Sequence, residues 1–285
     1  MSIPVIPASY FGVVLGVAGL GSAWRTAHRV WGIPATVGEA LMVLAALIWA
    51  ALIVLYMAKW FFARREAAAE LDHPVQCCFV GLIGVSTSLI SLASQPYSSA
   101  LAGLLLAAGA LFTLAFALWR TGLLWRGERD PVATTPVLYL PLVAGAFVTA
   151  TAAAGLGYPD WGQLAFGAGL FSWLAIESVL LHRLYTAAPL PPALRPTLGI
   201  QLAPPTVGAV AYLSVSGAGA DLIAHGLLGY GLLQALLLLR MLPWIMQQPF
   251  APSYWAFTFG ATALATAPLR MVELGAAGAV ATLAP

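Results

Sequence analysis

The chain has 285 residues, 61% of them hydrophobic, and its charged residues are 12 Lys and Arg and 10 Asp and Glu, 22 in all. A soluble domain of this length carries roughly 70 charges, so the composition excludes a soluble enzyme, a nucleic-acid binder and a disordered chain. The only cysteines, Cys77 and Cys78, are adjacent, which excludes a disulfide scaffold. A polytopic helical membrane protein remains. A β-barrel would show short alternating segments, and these runs are continuously apolar.

In chain order the apolar runs predict spans at 8–24, 40–62, 74–94, 99–119, 136–157, 161–181, 198–217, 221–242 and 253–269. A tenth begins near 270 and is short or truncated at Pro285. The whole of 1–285 is expected to be one transmembrane domain, with 8–24 a retained first helix. The ends of the even spans and the gaps after them hold Lys59, Arg64, Arg65, Arg120, Arg126, Arg129, Arg183, Arg195 and Arg240. Those after the odd spans hold only Arg25, Arg29 and Arg270. Nine against three places the first set, and with it both termini, on the cytoplasmic side.

A repeat underlies the spans. Starts at Pro7, Pro74, Pro136, Pro196 and Pro252 are separated by 67, 62, 60 and 56 residues. None of the 20 prolines falls inside the even spans. Those spans hold four Ser and Thr in 87 residues, against 16 in the 97 residues of the odd spans. Proline removes a backbone donor and frees a carbonyl. In hydrocarbon that group needs a protein partner or a water-lined cavity. The pattern therefore predicts an all-α fold of ten transmembrane helices in five hairpins. Five kinked odd helices form an inner ring around a pseudo-fivefold axis, and five smooth even helices form an outer ring.

Small and hydroxyl residues run in stripes on the odd helices. Candidate pore-lining positions are Gly12 and Gly16 on the first, Gly84 and Ser88 on the third, Gly145 and Thr149 on the fifth, Gly208 on the seventh and Thr262 on the ninth. The same stripes also serve helix packing. No odd helix carries a charge or a histidine in its central stretch. A charge there costs about 2.5–3.5 kcal/mol and usually marks an ion or proton site, so a carboxylate-driven pump is disfavoured. A pore of hydroxyls, glycine amides and apolar groups binds ions weakly and passes them quickly. Basic residues at the cytoplasmic mouths attract anions.

Other polar groups read as structural. Glu177 is expected to pair with Arg183 or a neighbouring helix, with proton coupling as the lesser reading. Asp221 and His225 are one turn apart, which suits a hydrogen bond better than a two-ligand metal site. His73 caps or packs beside Pro74. Arg64-Arg65-Glu66 and Arg126-Gly127-Glu128-Arg129 read as solvated loop charges near lipid headgroups. No catalytic motif and no cofactor site is found.

Pro7-Ala8-Ser9-Tyr10-Phe11-Gly12, His73-Pro74-Val75 through Phe79-Val80-Gly81, and Ser253 to Gly260 (SYWAFTFG) resemble the tellurite-resistance/dicarboxylate transporter family. The likeness is to its bacterial TehA branch, which is similar to plant slow-type anion channels, and it runs from about residue 4 to 270. The resemblance implies ten helices, a central pore from the odd helices, a homotrimer with one pore per subunit, and a bacterial inner-membrane location. It also implies a phenylalanine gate on the ninth helix. Phe259 fits that role, sharing a face with Thr262 and Thr266, and Phe257 is the competitor. Plant relatives tend to carry Pro where Gly260 stands, so a softer kink is expected here. The expected function is a channel for small inorganic monovalent anions, with membrane lipids and its own copies as partners and no nucleic acid. The alternative is a proton-coupled dicarboxylate carrier or a tellurite or lipophilic-cation efflux transporter.

Overall fold

The computed structural model describes residues 5–127 and 129–284, and every regular element among them is helical. The helices are α1 Phe11–Trp31, α2 Ala35–Phe62, α3 Arg64–Asp72, α4 Gln76–Val80, α5 Leu82–Ser94, α6 Ser99–Leu124, α7 Gly145–Gly155, α8 Pro159–Thr186, α9 Ala203–Val215, α10 Leu222–Ile245, α11 Ala256–Glu273 and α12 Ala279–Leu283. The chain is a multi-pass helical membrane protein.

Seven stretches among the described residues are long and apolar enough to cross a membrane. They are Ala35–Phe62, Gln76–Ser94, Ser99–Leu124, Pro136–Gly155, Pro159–Thr186, Pro192–Val215 and Leu222–Ile245. This differs from the ten expected. The glycines, threonines and terminal arginines of α1 and α11 dilute their apolar character. The boundary near 269 also moves. α11 runs through Pro268 to Glu273, a turn with left-handed Gly275 and Gly278 follows, and only the five-residue α12 comes after it.

Burial divides the long stretches into two kinds. Over their most apolar 18 residues, Gln76–Ser94, Pro136–Gly155 and Pro192–Val215 have 83%, 72% and 83% of residues buried, against 22%, 28%, 22% and 33% in α2, α6, α8 and α10. Leu47, Val54, Leu104, Leu111, Leu164, Phe171, Leu236 and Leu239 stand exposed on that second group. An apolar surface of this extent suits lipid, not water. α1 packs on α2, α5 and α11, α5 on α6 and α7, α7 on α8 and α9, and α9 on α10 and α11. The sequence of contacts α1–α5–α7–α9–α11 thus returns to α1.

The recurring prolines stand at or near the starts of the buried helices. Each buried helix begins irregularly: a 3-10 turn at Ala8–Tyr10, a break at Gly81 between α4 and α5, a 3-10 turn at Pro136–Tyr139 followed by a π turn at Leu140–Ala144, and 3-10 segments at Pro192–Leu202 and Pro252–Trp255. Pro141 and Pro196 fall inside two of these segments, where the missing N–H and the ring prevent the α hydrogen bond to the preceding turn and wider or tighter turns replace it. Pro7 stands at a cap, and Pro136 and Pro252 at first positions, where no helical bond is lost. Gly81 sits where the chains meet: a Cβ there would lie 2.8 Å from the Leu140 carbonyl oxygen.

Small residues bring the two kinds of helix together. A Cβ on Gly109 of α6 would come within 2.9 Å of both the Gly84 carbonyl oxygen and the Ser88 amide nitrogen of α5, two backbone atoms that cannot rotate away. Gly103, on the same helix, has open space. Gly109→Ala should destabilise the protein by about 1–3 kcal/mol through overpacking, and Gly103→Ala should not. Thermal unfolding of the two detergent-solubilised variants checks this.

The 63–75 gap is not simply loop. Arg64, Arg65 and Glu66 are exposed, but they open helix α3, whose inner face carries Glu70. That carboxylate accepts from the Ala8 amide at 2.7 Å, Tyr56 at 3.1 Å and Lys59 at 2.7 Å, while Lys59 also donates to the Ile6 carbonyl at 3.2 Å. The cluster ties α2 and α3 to the start of the first buried helix. In the 126–129 stretch Glu128 lies outside the described residues, and Arg129 donates to the carbonyls of Pro74 and Ala133.

Candidate functional site: two cavities meeting at Phe259

Two cavities lie among the buried helices. The first, about 40 Å³, is enclosed by the irregular helix starts: Ser9 and Gly12, Phe79 and Leu82, Tyr139 and Val143, Ile200 and Pro204, and Trp255 and Phe259. Its lining is almost wholly apolar. The second, about 360 Å³, is bounded by the opposite halves of the same helices: Gly19 and Thr26, Leu89 and Gln95, Val148 and Thr151, Val210 and Ser214, and Thr262 and Thr266. Phe259 and Val207 border both cavities.

Several contacts hold Phe259 there. It is 9% exposed. Gly19 leaves room for its ring, since a Cβ on Gly19 would lie 3.3 Å from it. Next in the chain, Gly260 lets α11 approach the start of α9, where a Cβ would sit 2.8 Å from Leu202 and 2.9 Å from the Ala203 amide. The Thr206 hydroxyl, which donates to the Leu202 carbonyl at 2.7 Å, lies 3.2 Å from the Gly260 carbonyl. Phe257 is placed differently. Its ring lies over Gly199 and stacks with Tyr254 at 6.4 Å, and it borders neither cavity.

Of the remaining candidate positions, Gly12 borders the small cavity and Thr262 the large one. The others border neither. Gly16 faces Thr258 of α11, Gly84 and Gly145 face Thr113 of α6, Ser88 lies against Gly109, and Gly208 faces Phe147 of α7. Thr149 is half-buried and also off both cavities. These stripes serve close helix packing because a glycine face gives up the volume a neighbouring side chain needs. A helical stripe has the same period whichever neighbour it meets, so spacing could not separate the two uses.

The large cavity also collects charges that no motif announced. Arg25, Arg29 and Arg270 border it. Arg25 grips Glu39 with two hydrogen bonds of 2.8 and 2.6 Å, and donates to the carbonyls of Leu92 and Ala93. Arg29 and Arg270 share Glu273, at 2.5 and 3.0 Å. These pairs tie α1 to α2, α5 and α11.

Glu177 is not in the expected ion pair. Its buried carboxylate accepts from Tyr139, from Trp173 at 3.1 Å, from Tyr230 at 2.6 Å and from Gln201 at 3.4 Å. Four neutral donors satisfy the oxygens that a cation would otherwise hold. Tyr139 belongs at once to this network and to the small cavity. Asp221 caps α10, accepting from the amides of Ile223 and Ala224 at 3.0 Å. The Tyr212 hydroxyl, first, and then these amides hold its carboxyl below the usual range. The His225 ring bonds the Asp221 carbonyl instead of a metal. His73 Nδ1 accepts from the amides of Val75 and Gln76. The Cys77 and Cys78 sulfurs are 4.0 Å apart, unbonded and buried. Among the described residues no cluster of three or more His, Cys, Asp or Glu could hold a metal.

Comparison with known proteins shows the family. The family model described as SLAC1, voltage-dependent anion channel, matches residues 6–284. The tellurite resistance protein TehA homologue of Haemophilus influenzae is 37% identical over 261 residues, covering 91% of this chain and 79% of the relative. An uncharacterised transporter of Methanocaldococcus jannaschii is 25% identical over 276 residues, 88% and 79% of the two chains. The S-type anion channel SLAH2 of Arabidopsis thaliana is 25% identical over 280 residues, 93% of this chain and 52% of the relative. Two of these relatives are named as a transporter and an anion channel. With a family model matched along nearly its whole length and a relative above 30% identity, the chain belongs to the SLAC1 voltage-dependent anion channel family.

Proposed function

We propose that the protein is an anion channel whose path runs through the two cavities and is occluded by Phe259. The observation that carries this reading is the position of that ring, with Val207, on the border between the apolar cavity and the polar one. A hydrophobic constriction gates by excluding water, because an ion cannot shed its hydration there cheaply. Gly12 and Thr262 line the path on either side. Charged side chains are confined to the mouths, so the path suits small monovalent anions that bind weakly and leave quickly.

In this reading the helices form one transmembrane domain of five hairpins about a pseudo-fivefold axis. α12 belongs to the tenth span. The subunits assemble as a homotrimer in the bacterial inner membrane, in contact with its lipids, with the termini and the small cavity on the cytoplasmic side and the large cavity outward. The charge asymmetry of the gaps supports that orientation.

A carrier is the second reading, and Glu177 is the observation that favours it. A buried carboxylate without a cation is the group a proton-coupled dicarboxylate carrier uses, and the TehA homologue carries tellurite resistance in its name. Purified protein in planar bilayers and liposomes separates the two. The channel gives unitary currents and downhill chloride flux that ignores an imposed pH gradient. Saturating flux driven by the pH gradient, with no unitary currents, overturns it.

A further inference from the structure

The outer cavity holds a charge arrangement that occlusion at Phe259 does not use. Of its three arginines, Arg25 is spent on Glu39 and on two carbonyls. Arg29 and Arg270 instead share a single carboxylate, Glu273. Two positive groups against one negative leave one positive charge on the cavity wall. Arg270 makes one hydrogen bond among the described residues, to Glu273, although a guanidinium offers five N–H donors. It is also partly exposed, with 27% of its side chain accessible.

Three threonines on this wall cannot serve an anion in the same way. Thr26, Thr262 and Thr266 each donate their hydroxyl proton to a backbone carbonyl of their own helix. They therefore offer acceptors, not donors, to the cavity. The cationic donors within reach of an anion are the N–H groups of Arg270, together with those Arg29 releases when Glu273 moves; Ser22 and Gln95, which also border the cavity, are neutral. A guanidinium fork matches two oxygens of a planar oxyanion, as a carboxylate already shows in this place. Halide, a single point acceptor, gains less from that geometry.

We infer that Arg29 and Arg270 form a capture site for carboxylate-like oxyanions at the outer mouth, and that Glu273 is a tethered competitor occupying it. An incoming oxyanion binds the open edge of Arg270 and takes over the contacts that Glu273 holds. Glu273 thereby keeps capture weak, which a conduction path requires because an ion bound tightly at the mouth would not proceed.

The inference rests on the anion-channel reading, and two readouts keep the failures apart. The first is conduction in a Phe259→Ala background, with formate or chloride added to the outer side. Glu273→Gln, which adds a net positive charge but keeps the side chain's shape, should lower the half-saturating formate concentration about three- to tenfold at low ionic strength. That advantage should shrink in high salt. Arg270→Gln should raise the half-saturating concentration by a similar factor. Arg270→Lys should restore chloride conduction but not the preference for formate. The second readout needs no current. Formate should raise the melting temperature of the parent protein more than chloride does, and Arg270→Gln should abolish the difference.

If the Phe259→Ala background carries no current, the channel reading fails and the melting comparison alone decides the site. If Glu273→Gln and Arg270→Gln leave both half-saturation and the formate-specific melting shift unchanged, Glu273 is only a strut between α1 and α11, and the inference is overturned.

Discussion

Phe259→Ala should convert a nearly silent protein into a constitutive anion conductance, at least about tenfold above the parent. Tenfold corresponds to removing about 1.4 kcal/mol from the barrier, a modest demand for a side chain that borders both cavities. Truncation leaves Val207 as the other shared residue and opens continuous space between the cavities. The fold should survive, because α11 is anchored next to this point by the close packing of Gly260 against Leu202 and Ala203. Phe257→Ala is the matched control. Its ring packs on Gly199 and Tyr254, off both cavities, so it should lower the melting temperature without raising conductance. Currents from Phe257→Ala and none from Phe259→Ala, in voltage-clamped bilayers containing folded protein, would reverse the assignment.

The second large effect is on stability. Glu70→Ala strips the carboxylate from Lys59, whose side chain is only 4% exposed, and leaves the Ala8 amide and the Tyr56 hydroxyl without their acceptor. Removing one member of a buried pair costs about 3–5 kcal/mol, most of it for the charge left behind. Glu70→Gln keeps part of the hydrogen bonding and should cost less. Lys59→Met combined with Glu70→Leu removes both charges and should recover much of the loss. Thermal unfolding of the detergent-solubilised variants tests the order: parent, then Gln, then Ala, with the double variant above Ala. An unchanged melting temperature for Glu70→Ala would mean that the pair is not closed in solution. Because Ala8 opens the helix that carries Ser9 and Gly12 to the small cavity, the same variant also tests whether this end of the path depends on α3.

Much of the architecture was legible in the residues because solvent dictates it. So few charges over this length leave lipid as the only fitting surroundings, and the buried and lipid-facing helices differ in proline and hydroxyl content for reasons that act locally. Four of the predicted starts, at Pro7, Pro136, Pro196 and Pro252, coincide with 3-10 segments. That Phe259 and Phe257 meet different surroundings was also legible, since about 160° on a helical wheel separates the two faces whatever they meet. Helix ends were less so: the Gly275 and Gly278 turn fell inside what reads as a continuing apolar run.

What a face meets is a different question, and the residues on it do not answer it. Gly84 and Gly145 carry the same small-residue stripe as Gly12, yet they receive Thr113 of α6 while Gly12 borders a cavity. Glu177 reads as half of an ion pair until three other segments bring Tyr139, Gln201 and Tyr230 to it. Arg29 and Arg270 lie 241 positions apart and become one site only when α1 and α11 pack side by side. Composition and local period point to the membrane setting and the two kinds of helix, because each follows from a residue and its nearest neighbours along the chain. The cavities, the shared carboxylate and the cation-free glutamate needed the packed bundle, because each is made by side chains from helices far apart in sequence, and no local rule relates those.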